Sequence, residues 1–299
     1  MRKILIGAVI GAMVATLALM GLAIAGGVQL VKSGQHFFNR LKDTRKAEST
    51  DTKSFPLKGL KAIVFDTTSG DVKVVSGNVP NVQVLVHRMA TGGSDREAQA
   101  NLGKQPWSAK VQDGTLMVRQ GGDENSGNYF YVGPIFNSRE FKFQITIPKN
   151  HPLHVEVHSG SGDVDIKHMS GSIQIETRAG DVKVKGGSGN TDIGTGSGDV
   201  SLSDRSGKTL NIRTRSGDID MEGATAQNMN LQSGSGDIHA AISPRANLTM
   251  DLLTRWGDLD DQLTTATKEK SREIHQVLNK GTDHLQVHTR SGDVSIQAS

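Results

Sequence analysis

The chain has 299 residues, of which 35 are Gly, only 4% are aromatic and none is Cys. The lack of Cys excludes disulfides, thiolate-bound zinc, iron–sulfur clusters and a thiol nucleophile. The scarcity of large rings points to a narrow core of small branched side chains. The net charge of +3 is local: residues 1–53 hold eight Lys/Arg against three acids, leaving 26 basic and 28 acidic residues in 54–299. The folded part therefore lacks the basic face that nucleic-acid binding requires.

Residues 4–31 contain no charged side chain, and a helix of that length exceeds a hydrocarbon core of about 30 Å. Residues 1–31 are therefore expected to form an N-terminal transmembrane anchor. The alternative is a cleaved signal peptide, with Arg2-Lys3 as its basic start and Ala23-Ile24-Ala25 as a cleavage pattern. The apolar stretch continues past Ala25, which favours an uncleaved anchor. Arg2, Lys3 and the amino terminus favour an inside start, while Lys32, Arg40, Lys42, Arg45 and Lys46 oppose it from farther away. The expected topology is single-pass in a bacterial cytoplasmic membrane, with the repeats outside. Residues 32–53 are expected to be a juxtamembrane linker. His36, Phe37, Phe38 and Leu41 among basic neighbours suit contact with anionic lipid, or the segment is a solvated tether.

Residues 54–158 predict an irregular β region. Alternation marks strands near 55–75, 81–87, 116–119 and 141–148, with polar, Gly-rich loops at 90–108 and 120–138. The first Ser-Gly-Asp, with Gly70 and Asp71, falls here.

From 159 to 299 the chain repeats. Gly-Asp recurs as Gly162-Asp163, Gly180-Asp181, Gly198-Asp199, Gly217-Asp218, Gly236-Asp237, Gly257-Asp258 and Gly292-Asp293. Most steps lie near 18 residues, and the long last step includes an insertion at 260–284. Within it, 265–280 suggests a short surface helix. Alternating pairs follow each turn (Val164/Ile166, Val182/Val184, Val200/Leu202, Ile219/Met221, Val294/Ile296). A second set follows about nine residues on: Ile173/Ile175, Leu210/Ile212, Met229/Leu231 and Leu248/Met250. Period two means strands with one buried face, and two strands per repeat make one coil. A coil cannot bury its own inner face. Stacking coils at about 4.8 Å buries a continuous apolar column. The predicted fold class is all-β: a parallel β-helix or solenoid of about 18-residue coils, preceded by one transmembrane helix.

Gly suits the sharp corner because it accepts positive φ, and Asp is expected to close an Asx-turn two residues on. Every second corner carries Arg three residues before the Asp: Arg178, Arg215, Arg255 and Arg290. A column of stacked carboxylates repels itself, so these arginines are expected to interleave with it as a charge ladder. On that reading Arg215→Gln loses less stability in high salt than in low salt.

An amino-terminal apolar segment, the strand Ile145-Thr-Ile-Pro148 and the Ser-Gly-Asp-Val/Ile ladder together resemble the Toastrack-type putative-adhesin β-strand-repeat family, which includes LiaG-like bacterial envelope proteins. The resemblance spans residues 54–299. It implies a repeat domain tied to the cell envelope or to envelope-stress systems, and it carries no catalytic residues over. Trp256 in place of Ser and the insertion depart from the pattern.

His154, Glu156 and His158 share a strand face, but His residues four apart on a strand lie about 13 Å apart, too far to share one ion. Calcium-binding nonapeptides need Gly-x-Asp in tandem nines, whereas Gly and Asp here are adjacent. A polysaccharide lyase or hydrolase on a β-helix needs paired carboxylates or a metal-assisted base in a cleft, and these acids repeat at equivalent corners. No Gly-x-Ser-x-Gly elbow or phosphate loop occurs. The expectation is a non-catalytic module with no cofactor and no metal, binding envelope proteins or a cell-wall polymer. The alternative is a carbohydrate-active or calcium-dependent adhesive domain. The last strand, 294–297, has no evident cap and is expected to offer an open edge for self-association.

Overall fold

The structure is a computed structural model that describes residues 44–121, 139–149, 151–263 and 272–299. Among the described residues it is all-β apart from one helix. Among the described residues no helix is long and apolar enough to cross a membrane, and the expected anchor and most of the linker lie outside them.

Each coil is a strand, a Gly-Asp corner and a second strand. The first coil pairs β2 (Ala62–Ser69) with β3 (Asp71–Gly77). The second is β8 (His154–Ser161) with β9 (Val164–Ser170), and the third β10 (Ile173–Ala179) with β11 (Val182–Ser188). Then come β12 (Thr191–Ser197) with β13 (Val200–Ser203), β14 (Ser206–Ser216) with β15 (Ile219–Glu222), and β16 (Thr225–Ser235) with β17 (Ile238–Ile242). Successive coils pair in parallel and in register, so Ile175 lies between Val157 and Ile193. Inward residues at every second position bury completely, and the two faces close on one apolar core running from Leu60 to Ile296. Two-fold periodicity, Val/Ile enrichment and tight Gly corners thus act together to give the solenoid expected from the sequence.

Sequence order and stacking order part at the last two coils. β18 (Leu248–Trp256) leads to β19 (Leu259–Asp261), whereas β21 (Asp283–Ser291) with β22 (Val294–Ala298) comes later in the chain. Yet β21 lies between β16 and β18, and β22 lies between β17 and β19. The chain lays its outermost coil first and then threads its final coil beneath it. The strand expected to be an open edge is therefore interior. Its physical reason is composition: Val294 and Ile296 both point inward and are buried, whereas the β19 segment offers only Leu259 before Asp260 and Asp261. A strand with so little to bury fits the end of the stack.

The described residues between 78 and 153 close the other end. β6 (Thr115–Gln120) and β7 (Arg139–Pro148) extend the two faces beyond the first coil in parallel. β5 (Trp107–Gln112) then pairs antiparallel with β6, and β4 (Val82–Gly92) with β7. β1 (Arg45–Phe55) pairs antiparallel with β4 through every residue of its length. The expected linker therefore ends by Arg45. Its polar 45–55 segment is an edge strand whose backbone is satisfied by β4, and strand polarity on both faces hid it. Asp51 ties this cap together, accepting from Arg88 Nη2 at 2.7 Å and Trp107 Nε1 at 3.2 Å.

The expected loop at 90–108 contains a helix, α1 (Asp95–Gly103). Ser94 Oγ accepts from Glu97 N, and Glu97 Oε2 accepts from Gly93 N at 2.8 Å. That is a variant of the capping box, Ser-x-x-Glu, in which the Glu reaches the N–H just before the cap, and it supplies the helix start. Ala98 and Leu102 pack with Ala47 and Ala90 in a small second core. The surface helix expected at 265–280 is also corrected. Residues 264–271 lie outside the described residues, and 273–278 form a strand, β20 (Glu273–Leu278), antiparallel to β18. Nor is 54–158 a separate region, because the first coil and β8 belong to the common core.

Candidate functional site

The Gly-Asp corners align in one column along the solenoid, and two residues of each motif explain the alignment. Gly180 sits at φ +143°, and a Cβ there would overlap the Gly162 carbonyl of the coil below. Gly292 repeats the same contact against Gly236. Glycine is required by backbone conformation and by closeness of stacking at once.

The Asp side chains do not close local turns. Each Oδ1 accepts the backbone N–H of the Asp in the neighbouring coil: Asp181 N to Asp163 Oδ1 at 2.9 Å, Asp199 N to Asp181 at 3.0 Å, and Asp218 N to Asp199 at 2.9 Å. The series starts at Asp71 and ends 237, 293, 258, with Asp258 N donating to Asp293 Oδ1 at 2.8 Å. It reports the stacking order independently of the strand pairing. The Asx-turn expectation is thus replaced by an inter-coil ladder. A corner N–H that points along the stack has no strand partner, and the carboxylate of the preceding coil is the acceptor within reach.

The expected Arg ladder is not formed. Arg178, Arg215, Arg255 and Arg290 are exposed. None has an ion pair or side-chain hydrogen bond to a corner carboxylate among the described residues. The main-chain N–H groups already engage the column, so the guanidinium groups are not needed there. Arg178, Arg215 and Arg290 alternate instead with Gly160, Gly196 and Gly234 on the outer face, where the glycine backbones stack tightly on the carbonyls of Thr68, Arg178 and Arg215, and Arg255 stacks next to Arg290. Beside the corners a shallow groove of about 360 Å³ is lined by Asp181, Lys183, Asp199, Ser201, Asp218 and Asp220.

Two features were missed in the sequence. The residue four before each Asp is a buried Thr or Ser, including Thr177, Thr195, Thr214, Ser233, Thr254 and Thr289. Several donate to a corner glycine carbonyl of the adjacent coil, as Thr254 does to Gly292 at 2.9 Å and Ser233 to Gly217 at 3.1 Å. The recurrence of Thr/Ser at that position was visible, but its partner was not.

The second is Arg205, which is 1% exposed. Its Nε donates to Thr191 Oγ1 at 2.6 Å, Nη1 to Met169 O at 3.0 Å and Gly186 O at 3.4 Å, and Nη2 to Gly171 O at 2.7 Å. No carboxylate takes part. Burial lowers its pKa to about 10, so the group stays charged at neutral pH. Ser206 pairs with Ser188, which places Arg205 over Gly187, and Gly187 pairs with Met169. The side chain crosses three coils past two glycines without Cβ atoms. The available signal was the Gly186-Gly187 pair one repeat before an Arg at an inward position.

His158 Nε2 lies 2.6 Å from Glu156 Oε1, and His154 Nε2 lies 3.8 Å from Glu156 Oε2. His154 Nδ1 is 2.7 Å from Ser172 Oγ on the next coil. Among the described residues no group of three His, Asp or Glu side chains could hold a metal ion.

These features define a class: a two-strand-per-coil β-solenoid with a Gly-Asp corner ladder. Residues 60–191 and 170–297 match the Toastrack DUF4097 family, and the chain belongs to it. No curated protein matches in sequence. Among solved structures, a putative adhesin from Bacteroides fragilis is 13% identical with a TM-score of 0.47, covering 84% of this chain and 97% of that one. A putative cell adhesion protein from Clostridium sporogenes is 12% identical, TM-score 0.36, covering 85% and 100%. A putative lipid binding protein from Parabacteroides distasonis is 10% identical, TM-score 0.34, covering 84% and 96%.

Proposed function

We propose that this chain is a non-catalytic module of the bacterial cell envelope, tethered to the cytoplasmic membrane through residues 4–31 and presenting its solenoid outside as a scaffold for envelope proteins or a cell-wall polymer. The observation that carries this reading is the Asp ladder. Carboxylates that recur at a fixed period suggest a ligand or acid–base site, yet one oxygen of each from Asp71 to Asp293 is committed to a main-chain N–H of the next coil. The recurrent chemistry is thereby accounted for by the fold. What remains outward is a long face of aligned side chains with unengaged arginines, the kind of surface repeat proteins use for binding.

The test has two arms. Protease added to intact cells should degrade the solenoid if it is extracytoplasmic. Protection until the membrane is opened would reverse the topology. Cosedimentation of the detergent-solubilised chain with purified cell walls should fall on changing Arg178, Arg215 and Arg290 to Glu together. Unchanged sedimentation of that variant would remove the arginine face from the reading.

A further inference from the structure

Among the described residues the stack is capped at one end of its corner column and bare at the other. At the first coil, Gln120 Oε1 accepts from the N–H groups of Thr68 at 3.1 Å and Ser69 at 3.0 Å. Phe141 also lies over Gly70. At the last coil the corner is Trp256-Gly257-Asp258 followed by β19, and β19 pairs only with β22 among the described residues. Trp256 is 67% exposed.

Between inner coils, three bonds hold one corner on the next. For Gly236 to Asp237 they are Gly236 N to Ser291 O at 2.9 Å, Asp293 N to Asp237 Oδ1 at 2.8 Å, and Ile238 N to Asp293 O at 2.9 Å. The same trio joins that coil to the last one, through Gly292 N to Trp256 O, Asp258 N to Asp293 Oδ1 and Val294 N to Asp258 O. The equivalent groups of the last coil are Gly257 N–H, Asp258 Oδ1 and Leu259 N–H. They face outward and have no partner among the described residues. A sheet edge with unpaired groups in fixed array is a template for an added strand.

We propose that this corner binds an extended basic segment of another polypeptide, centred on a triplet x-Gly-y in which y is not Pro. The geometry sets each requirement. The carbonyls of x and y accept from Gly257 and Leu259, and the N–H of y donates to Asp258. The middle residue stacks on Gly257 as Gly257 stacks on Gly292, where a Cβ would overlap the carbonyl beneath. Beyond the corner the segment runs beside β19, whose Asp260 and Asp261 stand next to Asp258, so its basic residues follow the glycine. Before the corner the field is reversed by Arg255 and by Arg272, whose guanidinium lies 5.5 Å from the Trp256 ring centre. A second copy of this chain is the poorer occupant, because edge-to-edge contact would set the acidic β19 strands against each other.

This site rests on the binding role proposed above. It is tested with the full chain in detergent micelles, following the tryptophan emission during titration with a synthetic peptide that carries Ser-Gly-Asn followed by alternating Val and Lys. Docking removes Trp256 from water, so a saturable blue shift is expected. Exchanging the peptide's Gly for Ala, or its Asn for Pro, should weaken binding about tenfold or more, as should Asp258→Ala, which deletes one charged acceptor. Asp258→Ala keeps the backbone N–H that bonds Asp293, so its melting temperature should be unchanged. Asp260→Lys should weaken the basic peptide without affecting the melt. Absence of a saturable shift, or equal affinity for the Gly and Ala peptides, overturns the proposal. Dimerisation of the chain without peptide, seen by sedimentation and strengthened in Asp260→Lys as the acidic repulsion is relieved, would put a second copy at the edge and overturn the choice of partner. Loss of peptide binding with cell-wall cosedimentation intact sinks this site and leaves the display role standing.

Discussion

Replacing Arg205 by Met retains much of the apolar stem and deletes the guanidinium. Three of its bonds are short, to Thr191 Oγ1 at 2.6 Å, Gly171 O at 2.7 Å and Met169 O at 3.0 Å. A bond from a charged donor contributes about 1.5–3 kcal/mol net, and a buried acceptor left unpaired costs about 1–3 kcal/mol. Against this, removing a desolvated charge returns several kcal/mol, and the same burial lowers the Arg205 pKa to about 10. The balance is a loss of about 2–4 kcal/mol. Urea unfolding of residues 44–299, followed by circular dichroism, measures it. Lys should not rescue, because an ammonium cannot reach three carbonyls and a hydroxyl in different directions. Hydrogen exchange adds locality: amides of 169–171 and 186–191 should lose protection before those of β21 do. The sign with pH is also fixed. Below about pH 10 the group is protonated in both folded and unfolded chains, so the deficit of Arg205→Met should be flat from pH 5 to 8. A loss under about 0.5 kcal/mol, or equal stability of the Lys variant, would refute the idea that this side chain staples three coils.

Gly180→Ala should cost about 3 kcal/mol or more in the same unfolding assay, since φ +143° and the Gly162 carbonyl both oppose a Cβ. Gly103→Ala, with open space around the added methyl, should be neutral or stabilising by up to about 1 kcal/mol. Arg215→Gln should change stability by less than about 0.5 kcal/mol with no salt dependence, because the exposed guanidinium has no carboxylate partner in the column. The native absence of Cys permits a clean test of coil order: Gln232→Cys with His288→Cys should oxidise to a disulfide, since these residues pair across β16 and β21. Gln232→Cys with Leu253→Cys should not, because β21 separates those strands.

Much of the fold was legible because one local rule repeats. Gly-Asp followed by alternating Val or Ile fixes a corner and an inward face wherever it occurs, so coil length and strand count per coil follow from spacing. The partner of each Asp was not legible. A carboxylate beside a turn suits an Asx-turn equally well in isolation, and only the stacked neighbour presents the N–H that captures it. The Arg alternation misled for the same reason. Repulsion along a carboxylate column calls for compensation, but backbone donors supply it before a long side chain needs to. At the N-terminal end, polar strands such as β1 escaped notice because an edge strand with both faces wet shows little alternation.

The order of the last coils shows how local composition can report on position in a stack. An inner coil must bury two apolar residues after its corner, as Val294 and Ile296 do. The Trp256 coil supplies Leu259 and then Asp260 and Asp261, and it places a large exposed ring where other coils carry Ser or Ala. Buried between two coils, an inward Asp261 would lose its solvation, and Trp256 would crowd the Ser-Gly stacking on both sides. At the end of the stack neither cost arises. Sequence spacing alone favours laying coils down in chain order, since that needs the shortest connections. The burial requirement opposes it, and burial prevails: the chain passes over its own end and returns with Val-Ser-Ile to fill the inner place. The same composition that sends this coil outward leaves its corner donors without a lid among the described residues. Among the described residues, the end of the stack is thereby where the ladder's corner N–H groups are left to offer a partner.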